Sequence, residues 1–175
     1  MAYARRVHET PEELAELQDV IDRSYAEAGE HLLSIHGESW RINAEQIAER
    51  LTGMVILDLA TVSSKGDPIQ SPVDGMFYRG RFWFGSAPNS IRAKHIKRHP
   101  RVSVAHVPGE ELAVIVHGTA LEVDKSTERA LGFRDYAISI YGKASIDHFW
   151  NGDAVYWELE PRKMFALAPQ VGEGT

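Results

Sequence analysis

The chain has 175 residues, 43% hydrophobic and 25% charged, which fits one globular domain with a sizeable core. Its net charge of −6 disfavours anionic partners such as nucleic acid or a membrane surface, and the lack of cysteine excludes disulfides and thiolate metal sites. The first ten residues lack the apolar run of a signal peptide, and no apolar stretch reaches the roughly 20 residues of a membrane span. We therefore expect a single-domain, cytoplasmic protein.

The first 53 residues carry two helix signatures. The stretch Thr10 to Glu13 is a capping box with proline at the first helical position, and apolar residues follow it at helical spacing. The stretch Asn43 to Gln46 repeats the box, and Gly53 ends the second, shorter helix. These signatures predict a helical N-terminal extension over residues 1–53, ahead of a core over residues 54–168.

From Met54 the hydrophobic period changes to the alternation of β-strands. Three strands are predicted in succession, with turn signals at Lys65 to Pro68 and at Arg79-Gly80, so antiparallel hairpins join them. Aromatic side chains concentrate on the second and third strands, and we interpret them as packing residues of a barrel or a subunit interface: Phe77, Phe82, Trp83 and Phe84.

The second half of the chain mixes helices and strands. In order, we predict a basic helix from Asn89 to His99, strands over 101–107 and 112–124, a helix over 126–141, a short helical piece before Gly152, and a last bent strand broken at Pro161. The glycine of His117-Gly118 indicates a bulge or a close backbone approach within the fifth strand. About six strands with short connections predict an α+β fold built on a small antiparallel β-barrel.

The basic segment after the third strand is a candidate anion site. Five cations fall within ten residues of an otherwise acidic chain: Arg92, Lys94, Lys97, Arg98 and Arg101. The helix opens with Asn89-Ser90, so backbone N–H groups, a hydroxyl and the first two cations converge at its N-terminus. The later cations complement the helix dipole at the other end. The alternative interpretation is a solvated basic helix without a ligand.

The order of these elements resembles the flavin-binding split-barrel family, typified by pyridoxamine 5′-phosphate oxidase and its relatives that use the deazaflavin F420. In that family a hairpin, an aromatic strand ending in a small hydroxyl residue, and a pattern S-x-K-x-R-N-L-x-x-x-P-x-V follow one another. Here the pattern reads Ser90-Ile91-Arg92-Ala93-Lys94-His95-Ile96 and then Pro100-Arg101-Val102. The resemblance covers about residues 54–167 and implies an α+β fold with a small antiparallel split β-barrel.

The resemblance also implies a cofactor site. Residue by residue, it puts Ser90, Arg92 and Lys94 on the cofactor phosphate, with Ser86 beside it. The second strand would line the isoalloxazine ring or the ribityl chain, largely through backbone groups. His95 replaces the frequent asparagine of the family, so the contact of that amide is not carried over. The expected cofactor-binding residues are Ser71, Pro72, Val73, Ser86, Ser90, Arg92, Lys94 and His95. No catalytic side chain is assigned.

The implied activity is an oxidoreductase that moves a hydride between FMN, or F420 in its place, and a small organic substrate. The implied assembly is a homodimer with the cofactor at its interface. FMN is preferred, because the anionic tail of F420 needs a further basic path. True pyridoxamine phosphate oxidase activity is not expected, because the chain ends soon after Leu167 without the Arg- and Trp-rich tail that holds that substrate. The alternatives are a non-catalytic flavin or haem sensor and a barrel that binds single-stranded nucleic acid, which the net charge disfavours.

Eight histidines raise the question of a metal or haem. His31 and His36 are five residues apart, off the spacing that places two ligands on one helix face, so no metal site is predicted. Haem needs an axial ligand, for which His8, His106 and His117 are available. We interpret each as an ordinary strand or surface histidine and expect no haem, with His117 as the one to test.

Overall fold

The computed structural model describes residues 8–35 and 38–169. Six strands close an antiparallel barrel in the order β1-β2-β3-β6-β5-β4. They are β1 (Met54–Val62), β2 (Pro68–Tyr78), β3 (Arg81–Ser86), β4 (Arg101–Gly109), β5 (Leu112–Glu122) and β6 (Val155–Leu167). The helices are α1 (Pro11–Ala26), α2 (Glu30–Ile35), α3 (Ala44–Arg50), α4 (Ile91–Arg98), α5 (Glu128–Tyr141) and α6 (Lys143–Trp150), with a short 3₁₀ turn over Glu38–Trp40. The predicted α+β antiparallel barrel is confirmed.

The N-terminal helices pack directly on the barrel. Both predicted capping boxes are present, at the starts of α1 and α3. Leu17 and Ile21 of α1 are buried in the same core as the barrel strands. The Ser24 hydroxyl accepts the Met164 N–H at 2.9 Å, and the Tyr25 hydroxyl donates to the Ala166 carbonyl at 3.0 Å. The extension is therefore built into the core through β6.

Two parts of the N-terminal region differ from the sequence analysis or cannot be compared with it. The apolar pattern that would mark a signal peptide concerns mainly residues 1–7, and these residues and His36 lie outside the described part of the chain. The short helix α2 and the turn after it were not predicted, because residues 27–40 carry no capping box. No helix within the described ranges is long and apolar enough to cross a membrane. The cytoplasmic location stays a prediction.

The fifth and sixth strands meet at the predicted bulge. The register between β5 and β6 shifts between His117 and Gly118. A Cβ added at Gly118 would lie 2.2 Å from the Glu160 carbonyl oxygen, so this close backbone approach requires glycine. The predicted break of the last strand at Pro161 is wrong, because β6 continues through this proline. Pro161 pairs with Gly118 next to the register shift. The same irregularity bends the strand around the barrel.

Aromatic side chains fill two separate cores. Phe77, Phe82 and Phe84 are buried inside the barrel with Trp157, which stacks on Phe84 at 5.6 Å. Trp83 points to the opposite face of β3, where it stacks on Phe133 of α5 at 4.5 Å. This second core joins α5 and α6 to the outer face of the barrel. The interpretation of the four aromatic residues as packing residues is confirmed.

Candidate functional site

The first turn of α4 presents hydrogen-bond donors that have no acceptor in the described part of the chain. Ser90 is the N-cap, and its Oγ accepts the Ala93 N–H at 3.1 Å and the Ser86 hydroxyl at 3.0 Å. The Ser90 proton thus remains available for an acceptor outside the protein. The N–H groups of Ile91 and Arg92 have no acceptor within the described ranges. Three donors therefore converge at a helix N-terminus, the usual arrangement for binding an anion.

The basic side chains of this segment have no acidic partners among the residues that the structure describes. Elsewhere, five arginines are paired with carboxylates, and Arg129, for example, lies 2.9 Å from Glu158 and 3.0 Å from Glu13. In contrast, no carboxylate of residues 8–35 or 38–169 forms a salt bridge with a cation of the basic segment, Arg92, Lys94, Lys97, Arg98 or Arg101. Unneutralised positive charge in an acidic protein favours a bound anion at this position.

Next to this helix, β2 has a free edge. Residues 68–76 of β2 pair with β1, but only residues 75–78 pair with β3. From residue 68 to residue 74, the edge that faces β3 has no strand partner in the part of the chain described. If the β2–β3 register continued, Ser86, the last residue of β3, would lie opposite Val73, but the two residues are not paired. Main-chain donors and acceptors of β2 are thereby left accessible beside the Ser86–Ser90 pair.

The second-strand residues use this edge in different ways. Val73 is buried in the barrel core opposite Leu57, and Ser71 is half-buried. Pro72 is exposed and shares the outer face of the sheet with Asp74. Val73 can therefore offer only its backbone to a ligand, and the expected cofactor contacts of Ser71, Pro72 and Val73 stay predictions. The structure brings Ser86, Ser90 and the start of α4 together beside this edge.

His95 is placed on the buried face of α4. Its Nδ1 lies 2.9 Å from the Thr61 hydroxyl, which also donates to the Ile69 carbonyl at 3.3 Å. Ala93 and Ile96 are buried on the same face. His95 thus fastens the helix to β1, and a direct contact of His95 with a cofactor stays a prediction. Sequence reasoning missed Thr61, although the alternation of β1 places it inside the barrel, where a hydroxyl needs a partner.

A cavity beside the site was also missed. It lies between the outer face of β2, β3 and β6 and the two helices α5 and α6, and Ser86 is part of its wall. The signal was present in α5, where Phe133, Ala137 and Tyr141 follow one another at intervals of four residues on one helix face. This stripe faces the cavity.

The remaining histidines have separate surroundings. The Nδ1 of His117 lies 2.7 Å from the Ser103 hydroxyl on the outer face of the barrel, and the Nδ1 of His106 lies 2.9 Å from the Ile56 carbonyl. His31 is exposed on α2. Within residues 8–35 and 38–169, no three histidine or carboxylate side chains form a group able to hold a metal ion.

Comparison with known proteins places the chain in a family. The sequence profile of the family described as "Pyridoxamine 5′-phosphate oxidase" matches residues 42–168, which is more than half of the chain. The chain belongs to the pyridoxamine 5′-phosphate oxidase family. The match begins before α3 and ends after β6, so it includes the complete barrel and the basic segment. No curated protein matches the chain by sequence comparison.

Several solved structures share the fold. A conserved hypothetical protein from Mycobacterium tuberculosis is similar with a TM-score of 0.65 and 20% identity, over 80% of this chain and 97% of its own. The heme storage protein HutZ from Vibrio cholerae has a TM-score of 0.56 and 18% identity, over 64% and 85%. A FAD-binding protein from Mesorhizobium loti has a TM-score of 0.55 and 19% identity, over 72% and 93%. At these identities the likeness shows the fold alone.

The Thr61–His95 contact yields a stability prediction. We expect Thr61→Val to lower the free energy of unfolding by about 1–3 kcal/mol, because it keeps the side-chain volume but leaves His95 Nδ1 buried without a partner. Urea denaturation measures this change. The control is Thr52→Val, at an exposed residue before β1, which should leave the midpoint unchanged. Equal stability of Thr61→Val and the wild type would contradict the assigned role.

Proposed function

We propose that this protein is an oxidoreductase that binds the phosphate of a flavin or deazaflavin at the N-terminus of α4. The reaction that we propose moves a hydride between the cofactor ring and a small organic substrate. The observation that carries the proposal is the set of donors around Ser90, combined with the cations Arg92 and Lys94, for which the described part of the chain supplies neither an acceptor nor a carboxylate partner. Family membership supports it, because the matched residues include this segment.

The residues present fit a phosphate group. A phosphate accepts several hydrogen bonds and carries negative charge, and the first turn of α4 offers both donors and positive charge. Ser86 holds the Ser90 hydroxyl in place, so Ser90 is oriented before any ligand arrives. The free edge at Ser71, Pro72 and Val73 would hold the ring or the ribityl chain through backbone groups. When bound, a flavin or deazaflavin supplies the hydride-transfer chemistry, and the protein supplies its binding and orientation.

FMN is the cofactor we prefer, with F420 as the alternative. FMN ends at its phosphate, which the first turn of α4 can neutralise. F420 continues into an anionic tail, and the exposed residues Lys97, Arg98 and Arg101 would offer a path for it. The Mesorhizobium loti protein of the same fold is described as FAD-binding, which supports flavin binding in this fold without selecting the flavin.

Haem binding without catalysis is the second candidate. HutZ, which has the same fold, is described as a heme storage protein. In this chain His117 is exposed, and its Nδ1 contact with Ser103 would fix the ring and leave Nε2 for iron. A Soret band that His117→Ala removes, together with no flavin binding, would favour this candidate over the oxidoreductase.

A homodimer is part of the proposal. Met54 and Ile56 on the outer face of β1 are 41% and 47% exposed, and Val107 on the neighbouring β4 is 53% exposed. No helix of the described residues shields this apolar strip. We expect the wild type to be a dimer by analytical ultracentrifugation and Ile56→Lys to be a monomer. Leu131→Lys, at an equally exposed residue of α5, should remain a dimer. A monomeric wild type or a dimeric Ile56→Lys variant would contradict this interface.

The phosphate site is tested by removing one cation. We expect Arg92→Ala to weaken FMN binding by about 1.5–3 kcal/mol, or about tenfold to a hundredfold, because it removes a charge-assisted hydrogen bond. Fluorescence titration of the cofactor-free protein measures the affinity, with a parallel titration of F420. The control, Lys97→Ala at the far end of the same helix, should leave FMN binding nearly unchanged. Unchanged affinity in Arg92→Ala would refute the assignment.

A further inference from the structure

The cavity between the barrel and the α5–α6 pair has the size and walls of a small-molecule site. Its volume is about 420 Å³, within the usual range for ligand pockets. Trp83 and Phe133 form a stacked aromatic floor, and Tyr156 lies beside them. Tyr141 and Phe149 stand at the opening and are 37% and 55% exposed. An aromatic lining favours a ligand with an aromatic ring of its own, because pairs of aromatic rings stabilise contact beyond the burial of apolar area.

The charged side chains that line the cavity, among the residues that the structure describes, are both acidic. They are Asp74 and Asp153. The nearest described cations, Lys125 over the Trp150 and Tyr156 rings and Arg129 over the Trp83 ring, stand behind the wall and do not line the cavity. Neither carboxylate has a salt-bridge partner in the described parts of the chain. The pKa of Tyr141 is raised, first by burial and then by the Asp74 carboxylate, so its hydroxyl stays protonated at neutral pH. An anionic ligand would meet repulsion here, whereas a cationic or neutral one would not.

The cavity adjoins the proposed cofactor site. Ser86 contributes to both, since it lines the cavity and donates to the N-cap Ser90. Asp74 follows the stretch expected to hold the cofactor ring, and it lies on the same outer face of β2 as Pro72, two residues away, or roughly 7 Å along the strand. A ligand in the cavity would therefore lie beside a ring held at the free edge of β2.

The walls are held in place without a ligand. Asp147 of α6 forms an ion pair with Arg134 of α5, which ties the two helices together, and a second ion pair with Lys143 within α6. Lys125 donates to the Trp150 carbonyl at 2.8 Å and attaches the end of α6 to the barrel side. A cavity that exists before binding loses little affinity to ordering its walls.

We propose that this cavity binds the substrate, and that the substrate is a planar aromatic compound, neutral or cationic, without a phosphate or carboxylate group. The substrate role rests on the proposed function, whereas the preference of the cavity for charge and shape does not require a cofactor. By the same reasoning, a phosphorylated substrate such as pyridoxamine 5′-phosphate is disfavoured in this cavity.

The test uses three aromatic probes that share one ring system and differ in charge, on the full chain without cofactor. They are N-methylquinolinium, quinoline and quinoline sulfonate, titrated by calorimetry at pH above neutrality, where quinoline is uncharged. We expect the cation and the neutral probe to bind and the anion to bind at least about tenfold more weakly. Ser145→Trp, at the exposed rim on α6, should block all binding. Ser139→Trp, the same substitution on α5 outside the cavity lining, should not.

A double variant examines the charge argument. Asp74→Asn combined with Asp153→Asn should remove most of the difference between the cationic and anionic probes and retain quinoline binding. Equal binding of all three probes by the wild type, or probe binding that Ser145→Trp leaves intact, would overturn the proposal. Arg92→Ala should leave quinoline binding unchanged. If the probes behave as expected but FMN binding is independent of Arg92, the proposed function fails and the selectivity of the cavity stands.

Discussion

Helix α4 is held against the barrel by its buried face, and the place of its first turn depends on that contact. Ala93 and Ile96 supply the apolar surface, and the Thr61–His95 contact of 2.9 Å supplies the one polar tie between side chains on this face, among the residues the structure describes. Because the helix is short, a small rotation of α4 against the barrel would move Ser90 away from Ser86 and from the free edge of β2. The geometry of the anion site thus follows from the packing of the helix.

The fold was largely predictable because its signals are local. The capping boxes of α1 and α3, the turn at Arg79-Gly80 and the alternation of β1 each depend on neighbouring residues alone, and each is present in the structure. Gly118 is a partial exception. The sequence indicated a close approach, but only the structure shows that the partner is the Glu160 carbonyl oxygen, 2.2 Å from the position that a Cβ would take. The continuous course of β6 through Pro161 likewise depends on pairing across the barrel.

The site was predictable in part. The basic segment and its cap were visible as a local reversal of charge, and the structure adds that these cations lack acidic partners among the described residues. The contact between Thr61 and His95 joins residues 34 positions apart, and the α5–α6 cavity is lined by side chains from five elements. Such tertiary contacts leave no contiguous pattern. In the resulting arrangement, one end of the candidate site is positive and the lining of the adjoining cavity is acidic, which would separate the proposed phosphate-bearing cofactor from the proposed uncharged or cationic substrate.

The central claim is that the first turn of α4 holds a cofactor phosphate. The most direct measurement compares the affinity of the cofactor-free protein for FMN and for riboflavin, which differ only in that phosphate. For the deazaflavin, F420 is compared with its phosphate-free core. We expect the phosphorylated member of the pair that binds to bind at least about tenfold more tightly, since charge-assisted hydrogen bonds are lost with the phosphate. Equal affinity for the two members, or no binding of either pair, would contradict it.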